Sequence, residues 1–261
     1  MSDLLRVERD GPVARVTLTR PGVRNAFNAA LIGELRAAFE ALAAEPPEAL
    51  RAVVLAGEGT TFCAGADVEW MRGAIGLSVE ANERDAAALA DMLATIDACP
   101  VPVIARVQGA ALGGGMGLCA VADVVLAAAD ATFGFTETRL GIIPAVISPF
   151  VLAKVGESAA RALFPTGERF GAERAQAIGL VHEVLPDEPA LDARLDGLLA
   201  ELRAAGPTAL RAAKALVRDQ RGLPPVEART LTVRAIARQR TSDEGQEGLA
   251  AFLEKRPPSW T

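Results

Sequence analysis

The stretch AALGGGMGLCAV, residues 110–121, contains three consecutive glycines and a fourth glycine inside an otherwise apolar run. A glycine destabilises a helix by about 1 kcal/mol relative to alanine, so four glycines in one short segment need a reason. Two reasons are open from the stretch itself. The glycines either allow a helix to pack closely on a sheet, or they let a ligand reach the backbone where a helix begins.

A second loop of the same style, FCAGAD, occupies residues 62–67. Both loops put small residues where a predicted strand passes into a predicted helix. The N–H groups of a helix's first turn have no partner within the helix, so one N–H from each loop could meet at a single oxygen atom. A nucleotide-binding loop is the weaker interpretation, because the run lacks GxGxxG spacing after an N-terminal strand and the chain has no GxxxxGK[ST] motif.

Strands and helices alternate along the first half of the chain. The predicted strands are residues 13–19, 51–57, 101–109 and 123–129, and the predicted helices are residues 28–45, capped by Asn28, and 79–98. After about residue 145 most segments have a helical period and are separated by Pro or Gly. The chain is therefore predicted to be an α/β protein with buried sheets and a helical C-terminal tail.

The composition limits the partners of the chain. Its 261 residues carry a formal net charge of −6, which argues against nucleic acid, because phosphate binding requires clustered Lys and Arg. The first ten residues lack the apolar core of a signal peptide, and no membrane attachment is predicted. Cys63, Cys99 and Cys119 have no CxxC spacing and predict buried thiols in the cytoplasm. No metal site is predicted, since the single histidine, His182, is interpreted as a strand residue.

Six segments together resemble the crotonase family, the enoyl-CoA hydratase/isomerase superfamily, over nearly the whole chain. They are RPGVRNAFN (20–28), FCAGADVEWM (62–71), ARVQGAALGGGMGL (105–118), ADVVLAAADATFGFTETRLGIIP (122–144), GERFGAERAQAIGLVHEV (167–184) and AFLEKRPPSW (251–260). The resemblance implies a crotonase-like spiral of ββα units in residues 1–190, which holds a coenzyme A thioester site. It also implies a helical oligomerisation region in residues 191–261 that builds a homotrimer, or a hexamer as a dimer of trimers.

The resemblance also implies roles for the two small-residue loops. In this family two backbone N–H groups hold the thioester oxygen while negative charge develops on it, and by position these donors fall on Ala66 and Gly114. Arg24 is a candidate phosphate contact, with a solvated surface arginine as the alternative. Coenzyme A is part of the substrate, and no separate cofactor is predicted. The other predicted substrate and coenzyme A contacts are Ala64, Gly65, Asp67, Val68 and Gly113.

The number of carboxylates in the site bears on which reaction of the family an enzyme performs. Hydratases of the best-known type use two glutamates, and the first of these positions is Gly117 here. The second is Glu137, which is the predicted acid/base. Without the family match, Glu137 would be interpreted as a surface charge or a partner of Arg139. A single carboxylate can move a proton between two carbons, and it can also serve hydration when other groups hold the water.

The chain resembles a subset of bacterial hydratases that act on branched glutaconyl-type thioesters, both at Gly117 and in the segment PAVISP (144–149). The predicted function is therefore hydration of a 3-methylglutaconyl-CoA-like substrate, as in leucine or isoprenoid breakdown. Arg72 and Arg84 are candidates to bind its distal carboxylate. An enoyl-CoA isomerase is the alternative. Remoter alternatives are a non-catalytic protein that binds coenzyme A or RNA, and a serine hydrolase, which would require His182 as its base.

Overall fold

The structure, a computed structural model, describes residues 4–261. The strands are β1 (Leu5–Asp10), β2 (Val13–Leu18), β3 (Ala52–Gly57), β4 (Val103–Val107), β5 (Ala110–Leu112), β6 (Val124–Ala128), β7 (Thr132–Gly134), β8 (Arg169–Gly171) and β9 (Glu183–Leu185). The α-helices are α1 (Ala29–Ala43), α2 (Val68–Gly73), α3 (Val79–Asp97), α4 (Gly114–Val121), α5 (Ser148–Thr166), α6 (Ala172–Ala177), α7 (Glu188–Ala204), α8 (Pro207–Asp219), α9 (Pro225–Thr241) and α10 (Asp243–Glu254). Short 3₁₀ turns cover Pro21–Val23 and Thr136–Leu140.

Six strands form one sheet in the order β1-β2-β3-β4-β6-β9. β1 and β2 pair antiparallel, and each later neighbour is parallel. Parallel strands are covered on both faces, which is why β3 (AVVLAG) and β4 (VIARV) are buried at every position. A smaller sheet, β5-β7-β8, carries the residues that lead directly into α4 and into the 3₁₀ turn at residues 136–140.

Two apolar clusters cover the two faces of the large sheet. Because successive strand residues point to opposite faces, Val53 and Leu55 of β3 belong to one cluster, whereas Ala52 and Val54 belong to the other. Buried side chains of α1, α3 and α4 complete the first cluster. The second cluster is closed by three leucines of α7 that lie four residues apart, Leu191, Leu195 and Leu199.

Local signals in the sequence locate most of the core elements correctly. The helix predicted from Asn28 begins there, because the Asn28 side chain accepts a hydrogen bond from Leu31 N (2.9 Å). The predicted α/β class is confirmed, and the four predicted strands correspond to β2, β3, β4 and β6. The glycine run also starts a helix as predicted, since α4 begins at Gly114.

Other elements differ from the sequence prediction. Residues 68–73 form a helix, α2, that the sequence prediction did not contain, and Asp67 caps it by accepting a hydrogen bond from Glu69 N (2.9 Å). The sequence prediction did not identify β1, the small sheet, α5 or α9. Strands of three residues are too short to show a period, and they form where β5 and β7 meet rather than from their own sequence.

The C-terminal helices fall into two groups. α7 packs on the sheet, and its Asp192 accepts hydrogen bonds from the buried Arg106 of β4 (2.6 and 3.0 Å). The predicted boundary at residue 190 therefore falls inside a helix that belongs to the core packing. α8, α9 and α10 contact one another beyond it, and α9 has no buried residue. Among residues 4–261, no helix has the length and apolar character needed to cross a bilayer.

Candidate active site

A cavity of about 630 Å³ lies where the two small-residue loops meet α2, α3 and the segment after the 3₁₀ turn. Its wall is mostly apolar. Two carboxylates line it, Asp85 and Glu137, together with the neutral polar side chains of Asn82 and Thr136. Five predicted site residues besides Glu137 also line it: Ala64, Gly65, Ala66, Gly113 and Gly114. The two adjoining helices contribute further apolar side chains to this wall, Trp70 and Met71 from α2 and Ala86 and Leu89 from α3.

The glycine run turns sharply from β5 into α4. Gly113 has φ +49°, a backbone conformation that residues with a side chain rarely adopt, and its N–H donates to the carbonyl of Gly134 (2.9 Å). Gly114 is the first residue of α4, so its N–H has no acceptor in the preceding turn. No hydrogen bond from this N–H to another group occurs within residues 4–261. The glycine run therefore leaves one backbone donor free at the cavity.

Ala66 offers the second free donor, and a strand-like bridge exposes it. Phe27 and Ala66 form an isolated parallel bridge, in which Phe27 N donates to Gly65 O (2.7 Å) and Phe27 O accepts from Asp67 N (2.8 Å). In such a bridge the middle residue's own N–H and C=O point away from its partner. The N–H of Ala66 has no acceptor in the part of the chain that the structure describes. The N–H of Ala66 is therefore free because of this bridge. The sequence had suggested a different reason, that the residue lies at the start of a helix.

The two loops touch one another directly. Cys63 N donates to Ala110 O, and Leu112 N donates to Cys63 O, each at 3.0 Å. Gly65 has φ +93°, and a Cβ built on it would lie 2.9 Å from Leu112 O and 3.4 Å from Gly114 N. A side chain at Gly65 would therefore push the loops apart. Glycine at this position allows the backbone segments that carry Ala66 and Gly114 to lie side by side.

Glu137 lies on the 3₁₀ turn, next to the glycine run. A Cβ built on Gly113 would be 3.5 Å from Glu137 Oε1, so the carboxylate faces the same backbone. Its Oε2 is buried and has no hydrogen-bond partner. Burial raises the pKa of Glu137 above its ordinary value, opposed by a smaller effect of its own backbone N–H. No ion pair joins Glu137 to Arg139 within residues 4–261, so the structure gives no support to the alternative that Glu137 serves as a partner of Arg139.

The position of Gly117 is closed by apolar side chains. A Cβ built on Gly117 would lie 2.6 Å from Cγ2 of Ile147 and 3.4 Å from Cδ1 of Leu93. Ile147 is buried and lines the cavity. A carboxylate at residue 117 would therefore need Ile147 to move. The segment PAVISP fills the space that a second acidic side chain would occupy.

Three other predicted binding residues lie outside the cavity wall. Asp67 is buried and forms an ion pair with Arg20 (2.6 Å), which keeps the pKa of Asp67 below its ordinary value against the opposing effect of its burial. Val68 is exposed at the start of α2. Arg24 is an exposed residue with φ +53°, and its carbonyl accepts a hydrogen bond from Ala64 N (3.0 Å). Asp67 is therefore a structural anchor of the Ala66 loop.

The two arginines proposed to bind a distal carboxylate do not line the cavity. Arg72 is paired with both oxygens of Glu69 (2.8 and 2.9 Å), and its side chain is 67% exposed. Arg84 is exposed on α3. Arginine and lysine are absent from the cavity wall as far as residues 4–261 define it. The part of the cavity wall that the structure describes therefore offers no cationic side chain to a distal carboxylate.

The remaining candidates from the sequence have structural roles. His182 immediately precedes β9, and its Nδ1 accepts a hydrogen bond from Val125 N (3.0 Å). Cys63, Cys99 and Cys119 are buried and unpaired, and burial raises the pKa of Cys63 to about 12. In residues 4–261 no group of three or more His, Cys, Asp or Glu side chains is arranged to hold a metal ion.

Comparison with known proteins identifies the family. A family model described as enoyl-CoA hydratase/isomerase matches residues 8–261. The chain belongs to the enoyl-CoA hydratase/isomerase family. It is an enzyme of that family, and the names of its relatives support enoyl-CoA hydratase activity.

Two solved structures and one curated relative illustrate the likeness. The structure titled Pseudomonas aeruginosa AtuE is 41% identical with a TM-score of 0.94, and the match covers 98% of this chain and 99% of that one. An enoyl-CoA hydratase from Shewanella pealeana is 37% identical with a TM-score of 0.93, over 98% of this chain and 96% of that one. The 2,3-dehydroadipyl-CoA hydratase of Escherichia coli K12 is 35% identical, over 100% of this chain and 99% of that protein. The predicted crotonase-like α/β fold is confirmed.

Sequence analysis missed several residues of the site. Phe27 was quoted within a family segment but given no role, although its ring contacts the glycine run. Ile147 was also quoted without its contact to Gly117 being foreseen. Asn82 and Asp85 sit on one face of α3, three residues apart, and that helical period was their one available signal.

Proposed function

We propose that this enzyme adds water to an α,β-unsaturated acyl-CoA, using two backbone N–H donors and one carboxylate. The observation that carries the proposal is that the Glu137 carboxylate, whose Oε2 is buried without a hydrogen-bond partner, lines the same cavity as two free N–H groups. Such donors stabilise negative charge as it develops, because they are already oriented and lie where little water competes.

The two N–H groups of Ala66 and Gly114 would hold the thioester oxygen. When hydroxide adds to C3 of the enoyl group, the electron pair of the alkene moves toward the carbonyl, and the oxygen becomes an enolate. Two donors aimed at that oxygen lower the barrier, and loss of one such donor typically costs about 10²- to 10³-fold in rate. The close approach of Gly65 to Gly114 supports a shared oxygen site.

Glu137 would act twice in one cycle. As a carboxylate it takes a proton from water while the water oxygen bonds to C3, and as a carboxylic acid it then gives that proton to C2. Water and alkene are consumed, a 3-hydroxyacyl-CoA forms, and Glu137 returns to its starting state. The apolar surroundings that raise its pKa bring the two protonation states closer in energy near neutral pH.

Coenzyme A enters this cycle as part of the substrate, and the cycle needs no further cofactor. Ala64 and Gly65 would border the adenine side of the coenzyme A site, next to the exposed Val68, while the ion-paired Asp67 would hold this loop in place. Gly113 would lie beside the thioester carbonyl. Arg24 is a candidate phosphate contact, which its exposure permits. The cytoplasmic location predicted from the unpaired cysteines stays a prediction.

The sequence favours a branched glutaconyl-type thioester as the acyl group. Asn82 and Thr136 are neutral groups in the cavity that can donate hydrogen bonds to a distal carboxylate, whereas Asp85 opposes one. We expect 3-methylglutaconyl-CoA to be hydrated at least tenfold faster than crotonyl-CoA, equivalent to about 1.4 kcal/mol in the barrier. The test is kcat/KM for these two thioesters and for 3-methylcrotonyl-CoA, which has the branch without the carboxylate. Equal rates for 3-methylglutaconyl-CoA and crotonyl-CoA would contradict the proposal that the substrate is a branched glutaconyl-type thioester.

Double-bond migration is the second candidate function, and the wall at Ile147 favours it. One carboxylate is sufficient to remove a proton at C4 and return it at C2, and an apolar wall keeps water from adding. Chromatography of the products distinguishes the two reactions. A 3-hydroxyacyl-CoA supports hydration, and a shifted alkene without hydroxyacyl-CoA shows the isomerase.

We also propose a homotrimer, either alone or paired into a hexamer. Leu191, Leu195 and Leu199 of α7 are buried in the same chain, so the support comes from other helices. Val226 and Ile236 of α9 and Phe252 and Leu253 of α10 are each at least half exposed. Large apolar side chains left exposed on two helices that contact each other are typical of subunit contacts. Sedimentation of a monomer at micromolar concentration would contradict the proposal.

A further inference from the structure

Phe27 contacts the backbone segments that carry both of the donors described above. Its side chain is 1% exposed, and the residue lies between the 3₁₀ turn at Pro21–Val23 and the first turn of α1. It carries no group that could exchange a proton or hold a charge. We propose that Phe27 is a positioning residue that sets the spacing between the N–H of Ala66 and the N–H of Gly114, an inference that rests on their proposed role in holding the thioester oxygen.

The backbone of Phe27 fixes the first donor. Its N–H and C=O bind Gly65 O (2.7 Å) and Asp67 N (2.8 Å), which are the neighbours of Ala66 on either side. Ala66 is thereby held in an extended conformation with its own N–H turned away from Phe27. Any shift of Phe27 moves this N–H with it.

The ring of Phe27 fixes the second donor. A Cβ built on Gly114 would lie 2.7 Å from both Cδ2 and Cε2 of the ring, so the ring rests directly against the first residue of α4. The Phe27 ring therefore leaves no room for a side chain at residue 114, which explains the glycine at this position. The ring limits how closely the start of α4 can approach the Ala66 loop.

The ion pair between Arg20 and Asp67 stabilises the bridge between Phe27 and Ala66. Arg20 donates to Ala26 O (2.5 Å) and to the Asp67 carboxylate (2.6 Å), and so spans the bridge from the residue before Phe27 to the residue after Ala66. Asn25 adds side-chain hydrogen bonds to Glu58 O and Thr61 O (3.0 and 2.7 Å). With its neighbours fixed in this way, Phe27 transmits its position to both donors.

The test compares Phe27→Leu with Phe39→Leu. Phe39 is also fully buried in the core, on α1, but has no part in the bridge or the glycine contact, so it controls for lost core volume. We expect Phe27→Leu to lower kcat at least tenfold with KM within about threefold, because a misplaced donor weakens transition-state binding more than ground-state binding. Phe39→Leu should lower the melting temperature without changing kcat by more than about twofold.

A spectroscopic measurement separates positioning from a structural role. A conjugated thioester, 2,4-hexadienoyl-CoA, absorbs at longer wavelength when donors polarise its carbonyl, and its spectrum is recorded by stopped flow before turnover. The parent and Phe39→Leu should show the full red shift, and Phe27→Leu a smaller one. If Phe27→Leu does not fold, Phe27→Met, which keeps most of the volume, takes its place.

The pair Phe27 and Gly114 gives an independent check. Gly114→Ala should be strongly impaired in the parent, where the new Cβ meets the ring, but should add little further loss to Phe27→Ala, where the ring is gone. Additive losses, or a full red shift and unchanged kcat in Phe27→Leu, would overturn the inference about Phe27. Absence of any red shift in the parent would instead overturn the proposed role of the two N–H groups.

Discussion

The two sides of the cavity are built on different principles. On the oxygen side, backbone groups from two loops meet around Phe27, Gly65 and Gly114, and there is no room for an added Cβ at either glycine. On the acyl side, Leu140 and Ile143 lie at the rim and are 61% and 70% exposed. The proposed oxygen side is fixed by close packing, whereas the rim of the proposed acyl side is made of exposed side chains that can change at little cost to stability.

Gly114→Val should give the largest effect on the oxygen side. The new side chain must displace the Phe27 ring and the N–H of residue 114, so activity should fall about 10²- to 10³-fold, with a loss of about 1–3 kcal/mol in stability from overpacking. Steady-state kinetics and thermal unfolding check these two effects. Gly33→Val is the matched control, since Gly33 is exposed on α1 and its Cβ would meet nothing within 4 Å. Wild-type activity in folded Gly114→Val would show that Gly114 is a packing glycine alone.

Ile147→Ala should alter the acyl side. Removing the side chain opens space beside Gly117, so the preference for bulkier acyl groups should rise about tenfold, at a cost of about 2–5 kcal/mol in stability. A panel of acyl-CoA thioesters of increasing branching measures the preference. Ile142→Ala is the control, because Ile142 lines the same cavity but is 54% exposed. An unchanged order of substrates in Ile147→Ala would exclude Ile147 from acyl selection.

Of the three substitutions, Gly114→Val, Ile147→Ala and Glu137→Gln, the last should change the stability of the protein least. Burial raises the pKa of Glu137, so the folded protein binds its proton more tightly than the unfolded chain does, and stability falls as pH rises above the ordinary value of 4.5. Replacing this carboxylate should therefore stabilise the protein at pH 7 relative to the parent, with the gain disappearing toward pH 4. Urea unfolding at both pH values measures it. The exposed Glu83 of α3, which has no ion pair within residues 4–261, provides the control Glu83→Gln, and a gain that persists at pH 4 would contradict the assigned cause.

The oxygen side was more accessible to sequence analysis than the acyl side. Glycines at residues 113–115 and the cap at Asn28 are local signals, because a turn or a helix start depends on a few consecutive residues. The contact of Ile147 with Gly117 joins residues that are 30 positions apart in the chain. The sequence around either residue contains no signal that predicts this contact. The same holds for Phe27, whose apolar side chain alone predicts burial and no more. Contacts between distant segments follow from tertiary packing, which periodicity does not contain.

Incorporation of oxygen from H₂¹⁸O tests the central claim, that one carboxylate beside two backbone donors is sufficient for hydration. The parent enzyme and Glu137→Gln are incubated with an enoyl-CoA, and ¹⁸O in the product is followed by mass spectrometry. We expect one ¹⁸O at C3 of a 3-hydroxyacyl-CoA, formed about a hundredfold or more slowly by Glu137→Gln, while the affinity for coenzyme A stays near that of the parent. Undiminished incorporation in Glu137→Gln, or a product of the parent enzyme that carries no ¹⁸O, would contradict the account.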